Sequence, residues 1–105
     1  MEKYAWHGFI VDGKKKEYIK RHNEIWPEMV EVLKKAGICN YSIWCEGNEL
    51  FGYYECEKGV LYAQEVQKNS PIVDKWNESM NGILIMAMDP LTGAQPLMEK
   101  VFELN

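Results

Sequence analysis

The sequence predicts an α+β domain in which helices cover one face of an antiparallel sheet. Three observations predict it. A β-rich run opens the chain and an alternating run closes it. Two further β-rich runs flank a Gly-Asn turn at the centre. Helical patterns fill the gaps on either side of that hairpin. The resulting order is strand, two helices, hairpin, two helices, strand. That is the split βαβ order of ferredoxin-like domains.

Each element has its own signal. Residues 4–10, Tyr-Ala-Trp-His-Gly-Phe-Ile, read as a strand rich in aromatics and ended by Asp12-Gly13. Lys14 to about His22 reads as a helix. Pro27 suits the first turn of a second helix, where its missing N–H is not needed. Met29, Val30, Leu33 and Ala36 form the apolar stripe of that helix, and Gly37 ends it. Asn40–Cys45 and Leu50–Cys56 form the hairpin around Glu46-Gly47-Asn48-Glu49. Gly59–Gln67 and Pro71 to about Met80 read as helices, the second with Ser70 as its N-cap. Residues 81–96 contain Gly82, Pro90, Gly93 and Pro96 and read as a long loop. Leu97–Leu104 reads as the last strand.

Both faces of the predicted hairpin carry large side chains. Tyr41, Ile43 and Cys45 point one way, and Ser42 and Trp44 the other. Phe51 and Tyr53 oppose Leu50 and Tyr54 in the next strand. Helices can cover only one of these faces. The other is expected to meet a second chain, which predicts a homodimer.

Composition narrows the function. The 105 residues fit a single domain spanning 1–105. The net charge of -4 makes nucleic acid a poor partner, because that binding depends on neutralising phosphates. It also argues against an anionic membrane surface. No apolar run approaches the roughly 20 residues of a membrane helix, and the first residues lack the pattern of a secretory signal. A cytoplasmic location is expected. Cys39, Cys45 and Cys56 are odd in number and match no zinc spacing, so small apolar residues near strands are expected rather than disulfides or ligands. Glycine-rich phosphate loops, His-Glu-x-x-His, Cys-x-x-Cys and Gly-x-Ser-x-Gly are all missing. Chemistry without a metal or nucleotide is expected.

Two histidines are available as proton carriers, His7 in the first strand and His22 at the end of the first helix. Tyr18 lies one turn before His22 on the same face, which favours His22. An arbitrary histidine more often caps a helix or packs in a sheet. Four Trp and six Tyr offer ring faces for a sugar's C–H surface and polar edges for its hydroxyls, although aromatics in small domains are mostly core. Trp26, before Pro27, is expected to be structural. Trp6 and Trp44 stay undecided. Trp76 has Asp74, Lys75, Asn77 and Glu78 around it and is the better pocket candidate. Glu46 and Glu49 flank the turn and read as solvated, and Glu55 and Glu57 could face a pocket or water.

The segment Arg21-His22-Asn23-Glu24-Ile25-Trp26-Pro27-Glu28 resembles the signature of the L-rhamnose mutarotase family. Asn40-Tyr41-Ser42-Ile43, Leu50-Phe51-Gly52, Trp76 with Met80, and Val101-Phe102-Glu103-Leu104 resemble it too. The resemblance runs over nearly the whole chain. It implies a dimeric ferredoxin-like fold of the α/β barrel type, an isomerase acting on the anomers of L-rhamnose, and no cofactor. It gives His22 the proton-donor role, and gives Tyr18, Tyr41 and Trp76 contacts to the monosaccharide. Well-known members carry two consecutive tryptophans where this chain has Trp76-Asn77. Asn77 would offer hydrogen bonds to sugar hydroxyls in place of the second ring. In such a site His22 would exchange a proton with the ring oxygen while Tyr18 or a bound water serves the anomeric hydroxyl. Two other functions fit the same residues: a cofactor-free monooxygenase on a similar dimeric fold, and a non-catalytic sugar-binding module.

Overall fold

The computed structural model of the chain describes residues 1–86 and 98–104. It contains β1 (Glu2–Ile10), α1 (Lys15–Asn23), α2 (Pro27–Lys35), β2 (Ile38–Glu46), β3 (Glu49–Cys56), α3 (Val60–Lys68), α4 (Pro71–Ser79) and β4 (Leu84–Met86). The four strands form one antiparallel sheet in the order β2-β3-β1-β4. This is the expected α+β arrangement, with β1 at the centre beside the hairpin.

Local chemistry sets the boundaries. Pro27 and Pro71 open α2 and α4 in their first turns. The Ser70 hydroxyl accepts from the Val73 N–H and caps α4 as expected. Gly37, at φ 78°, ends α2 in a conformation that L side chains resist. Gly47 and Asn48 form the two-residue turn of the hairpin, between the paired Glu46 and Glu49.

The fourth strand is a correction. Leu84–Met86 pairs with Ile10–Gly8 and fills the free edge of β1. Residues 98–104 form no ladder, although they alternate apolar and charged side chains. Three residues are too few to show a period, and the glycines and prolines nearby make that stretch look like a loop. The remainder of the expected 81–96 loop, from 87 on, and Leu97 lie outside the described residues.

One face of the sheet meets the helices. Tyr4, Trp6 and Ile10 from β1, and Leu50, Tyr54 and Cys56 from β3, are buried there with Tyr18, Met29, Ala63 and Trp76 from the helices. The other face carries Phe9, Trp44, Phe51 and Ile85, all exposed in the single chain. The cysteines are free thiols within the two hairpin strands.

An irregularity in β2 redirects one of the candidate site residues. Cys39 pairs with Glu55 and Ser42 with Tyr53, so Asn40 and Tyr41 both stand opposite Tyr54. This is a β-bulge, and Asn40 takes the left-handed conformation at φ 50°. The extra residue turns Tyr41 to the helix side, where its ring packs 4.9 Å from Tyr54.

Leu50, 1% exposed, lies at the centre of the packed layer. Leu50→Ala is expected to lower the unfolding free energy by about 2–5 kcal/mol. Urea unfolding followed by circular dichroism checks this, and an unchanged midpoint would contradict the core described.

Candidate active site

The helix-covered side of the sheet carries a cluster of polar aromatic groups. Tyr18 and His22 stand one turn apart on α1, with ring centroids 4.2 Å apart and nearly parallel. Trp76, from α4, stands nearly perpendicular to His22, with ring centroids 5.4 Å apart. Trp26 meets Trp76 edge-on at 5.3 Å, so it braces the ring that touches His22. Arg21 joins the two helices: it pairs with Glu17 at 2.8 Å and donates to the Ser79 carbonyl at the end of α4. From the sequence alone Trp26 is structural and Arg21 has no role beyond the motif. Their place beside His22 and Pro27 was the available signal.

The His22 ring is held through Nδ1, 3.0 Å from the Tyr18 carbonyl oxygen. A carbonyl only accepts, so Nδ1 carries the hydrogen. In the neutral ring Nε2 is then the basic nitrogen. Burial holds the imidazole below its ordinary value of 6.5, although the hydrogen bond to Tyr18 works the other way.

Two phenols extend the site. The Tyr18 hydroxyl is buried and has no hydrogen-bond partner among the described residues. Its pKa is raised by desolvation, with Tyr41 and Cys45 adding to the effect. An unmet buried hydroxyl costs about 1–3 kcal/mol, so such a group is expected to meet a ligand or water oxygen. Tyr41 is 39% exposed as a residue, but its hydroxyl is the desolvated end, with a pKa pushed up to about 12. That hydroxyl accepts from the Trp6 indole N–H at 3.1 Å. Both phenols therefore stay protonated at neutral pH.

Of the five residues singled out, Tyr18, His22, Trp76 and Tyr41 are brought to one side of the sheet. Asn77 is exposed on α4, next to Trp76 in sequence. His7 lies on the opposite face, where Nε2 meets a Glu49 oxygen at 2.8 Å and the ring stacks on Phe51. Glu49 is thus paired rather than simply solvated. Glu55 accepts from Tyr53 and Asn40, and these bonds hold its carboxyl below the usual range. Among the described residues no three of His, Cys, Asp and Glu gather as metal ligands, and no helix is long and apolar enough to cross a membrane. Two surface depressions lie away from the cluster. One, of about 670 Å³, runs between the start of β1 and residues 98–103, and the other lies on the outer side of α1. Neither contains an imidazole.

Comparison with known proteins bears on this cluster. The family described as L-rhamnose mutarotase matches residues 3–104. The L-rhamnose mutarotase of Oceanobacillus iheyensis is 44% identical over 82 residues, covering 73% of this chain and 77% of that protein. The L-rhamnose mutarotase of Phocaeicola vulgatus is 35% identical over 106 residues and all of both chains. The crystal structure of L-rhamnose mutarotase from Formosa agariphila superposes with a TM-score of 0.79 at 30% identity, over the full length of both. On this evidence of sequence and fold together, the chain belongs to the L-rhamnose mutarotase family.

Proposed function

We propose that this chain interconverts the α and β anomers of L-rhamnose by opening and reclosing the pyranose ring, an isomerase reaction. The observation that carries the proposal is the buried Tyr18 hydroxyl, without a hydrogen-bond partner among the described residues, beside an imidazole anchored through Nδ1. That arrangement suits a ligand with many hydroxyls and a proton to exchange. The matched proteins carry the mutarotase name, which favours this reading over the monooxygenase.

Opening the ring takes a proton from the anomeric hydroxyl and places one on the ring oxygen. The C1–C2 bond then rotates, and the reverse transfers close the ring on the other face. The bond from C1 to the ring oxygen breaks and re-forms with its own electron pair, and only protons pass between sugar and protein, so the scheme uses no cofactor. His22 is assigned to the ring oxygen. Because burial disfavours its charged form, the imidazolium gives up its Nε2 proton readily. The neutral ring left behind keeps its Nδ1 bond to Tyr18 and takes the proton back on closure. The anomeric proton goes to a water or through the Tyr18 hydroxyl. With its pKa raised, Tyr18 acts as a relay that accepts one proton as it passes on another, not as a phenolate. Tyr41 and Trp76 hold the sugar ring, and Asn77 is assigned to its rim.

The proposal includes a homodimer in the cytoplasm. Trp44, 70% exposed, pairs across strands with Phe51, and Phe51 with His7. Phe9, its ring centroid 4.8 Å from that of His7, and its cross-strand partner Ile85 extend this surface to the other edge. An apolar band crossing all four strands suits a second copy of the sheet, packed about 10 Å away as in a closed α/β barrel.

Saturation-transfer NMR on L-rhamnose tests the reaction. Saturating the α-anomer H1 should deplete the β signal with native protein. His22→Ala should slow exchange by on the order of 10² to 10⁴-fold while leaving the circular dichroism spectrum unchanged. An undiminished rate in the variant would remove His22 from the mechanism. Binding without exchange, in the native protein, would select the sugar-binding module. For the dimer, sedimentation equilibrium should give twice the chain mass, and Trp44→Lys should shift it toward monomer. A native monomer at micromolar concentration would contradict the assembly.

A further inference from the structure

Trp6 is the largest side chain on the helix-facing floor of the sheet that the mechanism leaves without a role. Its ring lies across its own cross-strand partner, Gly52. A Cβ built on Gly52 would fall 2.0 Å from indole Cε2 and 2.1 Å from Nε1. No side chain fits beneath the indole, so the glycine lets the ring lie flat on β3. The ring thereby spans from β1 over β3 to β2, and its Nε1 ends 3.1 Å from the Tyr41 hydroxyl oxygen. The β2 bulge delivers that hydroxyl from the other side.

The chemistry of the two groups fixes the direction of this bond. An indole N–H only donates, so the Tyr41 oxygen must accept. The phenol's own hydrogen is then directed to a different acceptor. Tyr54, against the Tyr41 ring, keeps the phenol from rotating away. We propose that Trp6, seated on Gly52, is a positioning residue that fixes the Tyr41 hydroxyl as a hydrogen-bond donor to an oxygen of the bound sugar. This rests on the functional reading above and adds a residue to it. Trp6 acts on substrate through Tyr41 and affects binding more than proton transfer.

Two measurements test it. The first is the indole N–H resonance of Trp6 in ¹H–¹⁵N spectra, which is independent of any activity. Tyr41→Phe should move it strongly, and an unmoved signal would remove the hydrogen bond and the proposal with it. The second is anomer exchange at varied L-rhamnose concentration in a double-mutant cycle. Trp6→Phe should raise KM about 2- to 12-fold, the value of one neutral hydrogen bond, with kcat changed less than twofold. In a Tyr41→Phe background the same substitution should add nothing. An equal loss in both backgrounds would mean that Trp6 only packs. Should Trp6→Phe fold poorly, 3-benzothienylalanine at position 6 keeps the bicyclic shape and lacks the N–H. It should reproduce the KM effect, and native KM with it would overturn the proposal. If native protein exchanges no anomers while the indole signal responds to Tyr41→Phe, the functional reading fails and the positioning role falls with it, although the contact stands.

Discussion

The hydrogen bond from His22 Nδ1 to the Tyr18 carbonyl organises the site. It joins two residues one turn apart on α1 and sets the tilt of the imidazole. It also decides which nitrogen the neutral ring leaves without a hydrogen. With the ring so held, Tyr18 stacks on one side of it and Trp76 stands nearly perpendicular to it. Trp26 then supports Trp76, and Arg21 ties α1 to the end of α4. The segment Arg21–Pro27 therefore acts as one unit. It carries the imidazole, the brace and the helix-to-helix link, and Pro27 starts the helix that closes the layer.

The sheet supplies the opposite wall, and its irregularities place the groups. A regular β2 would continue the alternation from buried Ile38 and send Tyr41 to the open face. The bulge at Asn40 reverses this. Gly52 removes a side chain where the indole must lie. Both departures from regular strand structure occur on the helix side, next to the polar aromatics. Bulges and close backbone approaches recur beside functional groups in sheets, and here each has an identifiable occupant.

Much of this was legible in the sequence. Pro27, Pro71, Ser70 and Gly37 marked helix ends through local backbone chemistry, and the Gly47-Asn48 turn marked the hairpin. The pairing of Tyr18 with His22 follows from helical spacing alone. What the sequence hid was set by tertiary contact. Leu84–Met86 is a strand because the edge of β1 is free to pair, and three residues carry no period of their own. The alternating residues 98–104 have the pattern of a strand without a ladder. Instead, Lys3 and Lys100 reach Glu103 and fasten that segment near β1. Trp6 was undecidable because its role depends on Gly52, a residue forty-six positions away that only the register places beneath it. Trp26 read as structural, and the contact it makes is with Trp76, the ring that touches His22.

The central claim is that a buried imidazole, anchored through Nδ1, offers Nε2 to the sugar. Long-range ¹H–¹⁵N NMR of His22 across a pH titration, with and without L-rhamnose, tests it most directly. The account predicts hydrogen on Nδ1 in the neutral ring, a midpoint below the ordinary 6.5, and a rhamnose-induced shift concentrated on Nε2. Hydrogen on Nε2 in the neutral ring, or a midpoint at or above 6.5, would contradict it.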